Sequence, residues 1–166
     1  MEPAPEGVTR FIVKSKLGVG RDFEILDQHE QRAYYIDGKM GLRPKAELTD
    51  ANGAVVYKIQ GRLMGIPKRA TVLDPADNEV ATIKNKFFSP IKSQIDLEMT
   101  DGELWHLEGN LIEKDYSVTS GGHTVIEISQ KWLTVRDAYT LDVHGTVSPA
   151  LAATMIWAVD AFRERR

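Results

Sequence analysis

The chain has 166 residues, a formal net charge of −3, 42% hydrophobic and 27% charged residues, and no cysteine. That length suits one domain able to bury its own core, and the lack of thiols excludes disulfides and thiolate metal sites and suits a reducing compartment. The slightly acidic balance removes any global electrostatic case for nucleic acid as partner.

The first stretch, Met1-Glu2-Pro3-Ala4-Pro5-Glu6-Gly7, is acidic and Pro-rich. It lacks the basic and apolar regions of a signal peptide. Residues 1–8 are expected to form a flexible tail, and residues 9–166 a single domain opening on a strand at Phe11-Ile12-Val13. Gly18-Val19-Gly20-Arg21-Asp22-Phe23 superficially resembles a phosphate loop. Such a loop must open a helix whose N–H groups hold the phosphate, whereas this one opens a strand, so it is read as a plain loop.

An internal repeat follows, with spacings of 23 and then 24 residues. Its copies begin Phe23-Glu24-Ile25-Leu26-Asp27, Ala46-Glu47-Leu48-Thr49-Asp50 and Ala70-Thr71-Val72-Leu73-Asp74. Each returns through a second segment centred on Ile36, Ile59 or Ile83 and closes on a base, Lys39, Arg62 or Lys86. Alternation of apolar and polar residues makes each copy a β-hairpin. The Asp before each loop suits a turn, because its carboxylate accepts nearby backbone N–H groups. Asn52-Gly53 and Asp77-Asn78 tolerate positive φ.

Weaker copies continue. Ile95, Leu97 and Met99 lead through Asp101-Gly102, a strong hairpin signal, to Trp105 and Leu107. Tyr116 and Val118 lead through Gly121-Gly122 to Ile126 and Ile128. Leu133 and Val135 precede Tyr139, Leu141 and Val143. The total is roughly a dozen strands, enough to close on themselves and lose both edges. A barrel wider than eight strands leaves a lumen that needs filling.

The last stretch supplies the filler. Ser148 is a good N-cap and Pro149 suits the first helical position, predicting a helix over about 149–164. It is apolar nearly all round, unlike a surface helix with one stripe. Its alanines keep it slim, while Leu151, Met155, Ile156, Trp157, Val159 and Phe162 fill radially. A membrane span needs about 20 apolar residues, and this run is shorter, so it reads as a buried core helix. Asp160 is the exception and is expected at the barrel mouth, paired with a base or a strand N–H. The expected fold class is mainly β: a closed antiparallel barrel of about 12 strands around a central hydrophobic C-terminal helix.

The chain resembles the LURP-one-related family, which groups with the tubby C-terminal domains and the phospholipid scramblases. The resemblance spans roughly residues 9–163. It rests on Arg10-Phe11-Ile12-Val13-Lys14-Ser15-Lys16-Leu17, on repeats such as Gly53-Ala54-Val55-Val56-Tyr57-Lys58-Ile59-Gln60-Gly61-Arg62, on Lys131-Trp132-Leu133-Thr134-Val135-Arg136-Asp137-Ala138-Tyr139-Thr140-Leu141, and on the helix. It implies the same 12-stranded barrel and no enzyme activity. Its tubby branch implies binding of phosphoinositide head groups at the cytoplasmic membrane face. Its plant branch implies a role in defence. No tubby lipid-contact motif matches residue by residue.

The residues themselves point to charge asymmetry. Between Gly61 and Lys92 the bases Arg62, Lys68, Arg69, Lys84, Lys86 and Lys92 outnumber the acids. From Gln94 to Tyr116 seven acids oppose only Lys114. One basic and one acidic side are therefore expected. The candidate lipid- or anion-binding residues are Lys68, Arg69, Lys84, Lys86 and Lys92, with anionic membrane lipid as the expected partner. Phe87 and Phe88, between basic residues, are candidate apolar contacts for a membrane interface or a protein partner. His29, His106, His123 and His144 form no helical pair of metal-ligand spacing, no G-x-S-x-G elbow exists, and neither metal nor cofactor is expected. The leading expectation is a non-enzymatic binding protein, cytoplasmic and peripheral to the membrane. The alternatives are an interaction module using the apolar loops, and an enzyme with a His/carboxylate site at a barrel mouth.

Overall fold

The computed structural model describes residues 3–16, 22–39, 43–62, 68–86, 94–111, 113–130 and 138–163. Twelve strands run β1 (Val8–Lys16), β2 (Asp22–Leu26), β3 (Arg32–Lys39), β4 (Lys45–Asp50), β5 (Val55–Arg62), β6 (Lys68–Leu73), β7 (Glu79–Asn85), β8 (Ile95–Met99), β9 (Leu104–Asn110), β10 (Asp115–Ser120), β11 (His123–Ser129) and β12 (Ala138–His144). Each pairs antiparallel with its sequence neighbour, and β1 closes the ring on β12 from Val8 opposite His144 to Lys14 opposite Ala138. Pairing thus starts at Val8, and the Gly7 carbonyl accepts a hydrogen bond from the Gly145 N–H (2.8 Å). Closure leaves no edge strand among the described residues to template aggregation.

The repeated Asp residues build one rim. Asp27, Asp50 and Asp74 each use Oδ1 to accept the N–H groups two and four residues on, at 2.8–3.0 Å. Each turn then needs a left-handed residue, supplied by Glu30 (φ 61°), Gly53 (φ 81°) and Asp77 (φ 67°). This is a type I turn closed by a bulge, and the strand register shifts beside each one. Gly102 (φ 97°) holds the same place in the fourth hairpin.

Helix α1 (Pro149–Arg163) starts at this rim and runs through the lumen. Ser148 Oγ accepts the Leu151 N–H (3.2 Å), capping a free donor of the first turn. From Ala150 to Val159 every residue is buried. Buried Thr154 satisfies its hydroxyl on the Leu151 carbonyl (2.7 Å). The helix backbone comes nearest to β5, β6 and β7. Inward positions there include the small Gly61, Ala70 and Ala81 beside Ile59, Val72 and Ile83, whereas bulky Trp105, Leu107, Tyr116, Tyr139 and Leu141 line the other side. Small residues let backbones approach and large ones fill the wider gap, which fits the tight packing of interiors.

Candidate functional site

Because α1 occupies the lumen, charged side chains are left to the outer face and the two rims. The rim opposite the Asp turns carries the repeat's closing bases. There Gly61 donates its N–H to the Pro44 carbonyl (2.7 Å), and a Cβ on Gly61 would lie 2.6 Å from the Pro44 ring. That close approach fixes the end of β5, and with it Arg62.

Register aligns the bases across strands. Arg62 lies opposite Arg69, Arg69 opposite Lys84, Lys84 opposite Asp96, and Asp96 opposite His106. Their neighbours Gly61, Ala70, Ile83, Leu97 and Trp105 face inward, so alternation turns this row outward. At a strand spacing of about 4.8 Å the three bases form a continuous strip. Arg62 and Arg69 are exposed and Lys84 is half-buried. None of the three forms an ion pair with a described residue. Exposed Lys39 and Lys45, directly opposed on β3 and β4, extend the positive surface.

The other expected site residues divide. Lys68 is a correction: it shares the inward parity of Ala70 and Val72, and its Nζ donates to the Phe162 carbonyl (2.9 Å). It therefore caps the negative end of α1 and does not lie on the outer strip. Lys86 faces outward but is committed to Asp96, Nζ to Oδ2 3.1 Å. Lys92, Phe87 and Phe88 lie outside the described residues, as does the apolar segment 63–67. Asp160 sits at the mouth beside Lys114, Nζ to Oδ1 3.6 Å. The Lys114 ammonium also stands 4.9 Å from the Tyr139 ring centroid. Burial pushes the Tyr116 and Tyr139 phenols well above their ordinary range, and the Asp160 charge adds to it.

One cluster follows from pairing. Asp96, almost fully buried, accepts His106 Nδ1 at 2.6 Å and Lys86 Nζ at 3.1 Å. Burial works against its charge, but these two bonds outweigh it and hold the carboxyl below its usual range. His106 Nε2 points outward, 3.6 Å from Glu108 Oε1. The signal was present in the sequence: a hairpin turning at Asp101-Gly102 places residues 96 and 106 opposite each other.

The acidic side is equally real. Across β9 to β12 and β1 the register aligns Glu108, Ser117, Glu127, Asp142 and Arg10. They border a groove of about 640 Å³ with Asp115, Ser129 and Thr140. Arg10 and Asp142 form a two-point ion pair, Nε to Oδ1 2.7 Å and Nη2 to Oδ2 2.8 Å. Gly109 (φ 129°) allows β10 to approach this closely, since a Cβ there would meet the Asp115 carbonyl and Tyr116 Cα at 2.6 Å. No group of three or more His, Asp or Glu side chains arranged to hold a metal occurs among the described residues. No helix among them is long and apolar enough to cross a membrane.

The sequence profile of one family, described as LURP-one-related, matches residues 9–160. The chain belongs to the LURP-one-related family. A relative in Bacillus subtilis (strain 168), named "Uncharacterized protein YxjI", is 26% identical over 135 residues, covering 80% of each chain. The X-ray structure of the Arabidopsis thaliana protein AT5G01750 superposes with a TM-score of 0.68 at 18% identity, covering 94% of this chain and 93% of that one. At that identity the likeness concerns the fold. It places this LURP-one-related chain on the same barrel architecture as the plant protein.

Proposed function

We propose that this LURP-one-related protein is a non-enzymatic binding protein whose basic outer strip takes anionic phospholipid head groups. The observation that carries the reading is the cross-strand row Arg62, Arg69 and Lys84, three outward bases without an ion-pair partner among the described residues. Guanidinium groups present paired N–H donors that match phosphate geometry. A base near an anionic surface contributes about 1 kcal/mol, so three give a weak, salt-sensitive attachment. The acidic groove at the other side orients the molecule, because an anionic surface repels it. The protein therefore acts at the cytoplasmic membrane face as a peripheral component.

Co-sedimentation with vesicles tests this. Anionic vesicles at low salt are expected to pull down the wild type, neutral vesicles to leave it in solution, and Arg69→Glu with Lys84→Glu to remove the difference. Equal partition of the wild type to both vesicle types would overturn the reading.

A further inference from the structure

The basic row does not end at Lys84. It continues through Asp96 to His106, and this end has chemistry the bases lack. Asp96 is almost fully buried and both its oxygens are engaged, Oδ1 by His106 Nδ1 (2.6 Å) and Oδ2 by Lys86 Nζ (3.1 Å). Its negative charge is thus covered by its own partners. The bond to Asp96 holds the imidazole in one orientation and leaves Nε2 facing outward, with the side chain about one-third exposed at 34%. An imidazole fixed in this way donates from Nε2 only when protonated, since Nδ1 already carries the proton given to the carboxylate.

We infer that His106 is a further phosphate ligand at the end of this strip, engaged only in its protonated state. The inference rests on the reading of the strip as an anion-binding face. Lys84 and His106 stand two strands apart, about 10 Å, so they contact neighbouring phosphates on a surface and do not chelate one. The charged groups that face the imidazole are Asp96 on β8, Lys86 and Lys84 from the β7 side, and Glu108 on β9 itself, whose Oε1 lies 3.6 Å from Nε2 and competes for the same donor. β10 places uncharged Thr119 opposite His106. Binding of a phosphate surface must in turn favour protonation of His106 by the same factor.

Phosphatidylglycerol vesicles suit the test, because a phosphodiester keeps its charge between pH 6 and 8, and any change belongs to the protein. Wild-type affinity at fixed low salt is expected to rise about fivefold from pH 8 to pH 6, the factor that one added charge near an anionic surface supplies. His106→Gln, which keeps a donor for Asp96, is expected to bind like the wild type at pH 8 and to lose most of the rise. His144→Gln, remote from the row, is expected to keep it. Thermal melts establish that both variants fold, and an NMR titration of the His106 ring in the wild type, with and without vesicles, reads the reciprocal shift without any mutation. A full rise in His106→Gln, or a ring titration that vesicles leave unmoved, overturns the inference alone. No binding at either pH overturns the inference together with the reading beneath it.

Discussion

Arg10 and Asp142 are each about 10% exposed and meet through two parallel hydrogen bonds. Removing one partner of such a pair leaves a charge with little water to solvate it, at a loss of about 3 kcal/mol or more, whereas an apolar pair of similar volume is often neutral. Urea denaturation should therefore show Arg10→Met strongly destabilised and the double variant Arg10→Met with Asp142→Leu largely restored. Equal loss in single and double variants would show that the pair is not the cause. Asp96 carries a pH signature. Its carboxyl is depressed in the folded state, so its stabilisation is present above the unfolded value near 3.8 and is lost as pH falls through the lower folded value. Asp96→Asn is expected to flatten the acid limb of stability measured between pH 5 and 2. An unchanged limb would mean that the bonds from His106 and Lys86 do not act on the charged form.

At the scale of elements, hairpins and helix depend on each other. Alternating strands leave one apolar face, and α1 is buried on nearly every side chain it carries. Truncation before Ser148 is expected to yield insoluble, unfolded chain in circular dichroism and sedimentation. A soluble, folded product would show that the strands close without the helix. Much of this was legible beforehand. Asp27, Asp50 and Asp74 announced their turns, and Ser148-Pro149 announced the start of α1. Counting charge along the chain, however, grouped Lys68 with Arg69, while the alternation of Lys68, Ala70 and Val72 puts them on opposite faces. The rows were harder still. Bulges beside Leu26, Thr49 and Leu73 shift the register between strands, so local alternation does not say which residues meet. Asp96 and His106 share one hairpin and could be paired by counting from its turn. Arg10 and Asp142, 132 residues apart, meet only because the barrel closes.

For the whole molecule, a net charge of −3 conceals two unlike sides. Basic Arg62, Arg69 and Lys84 stand on β5 to β7, over the wall against which α1 packs most closely. Acidic Glu108, Asp115 and Glu127 stand around the groove on β9 to β11. The apolar helix that dominates the sequence fills the lumen, and the proposed binding is assigned to the outer face. Backbone amide mapping by NMR, with anionic and neutral lipid nanodiscs at low salt, tests this most directly. The account predicts changes confined to anionic discs and centred on Arg62, Arg69 and Lys84. Changes centred on the acidic groove, or on α1 with the barrel opened, would contradict it.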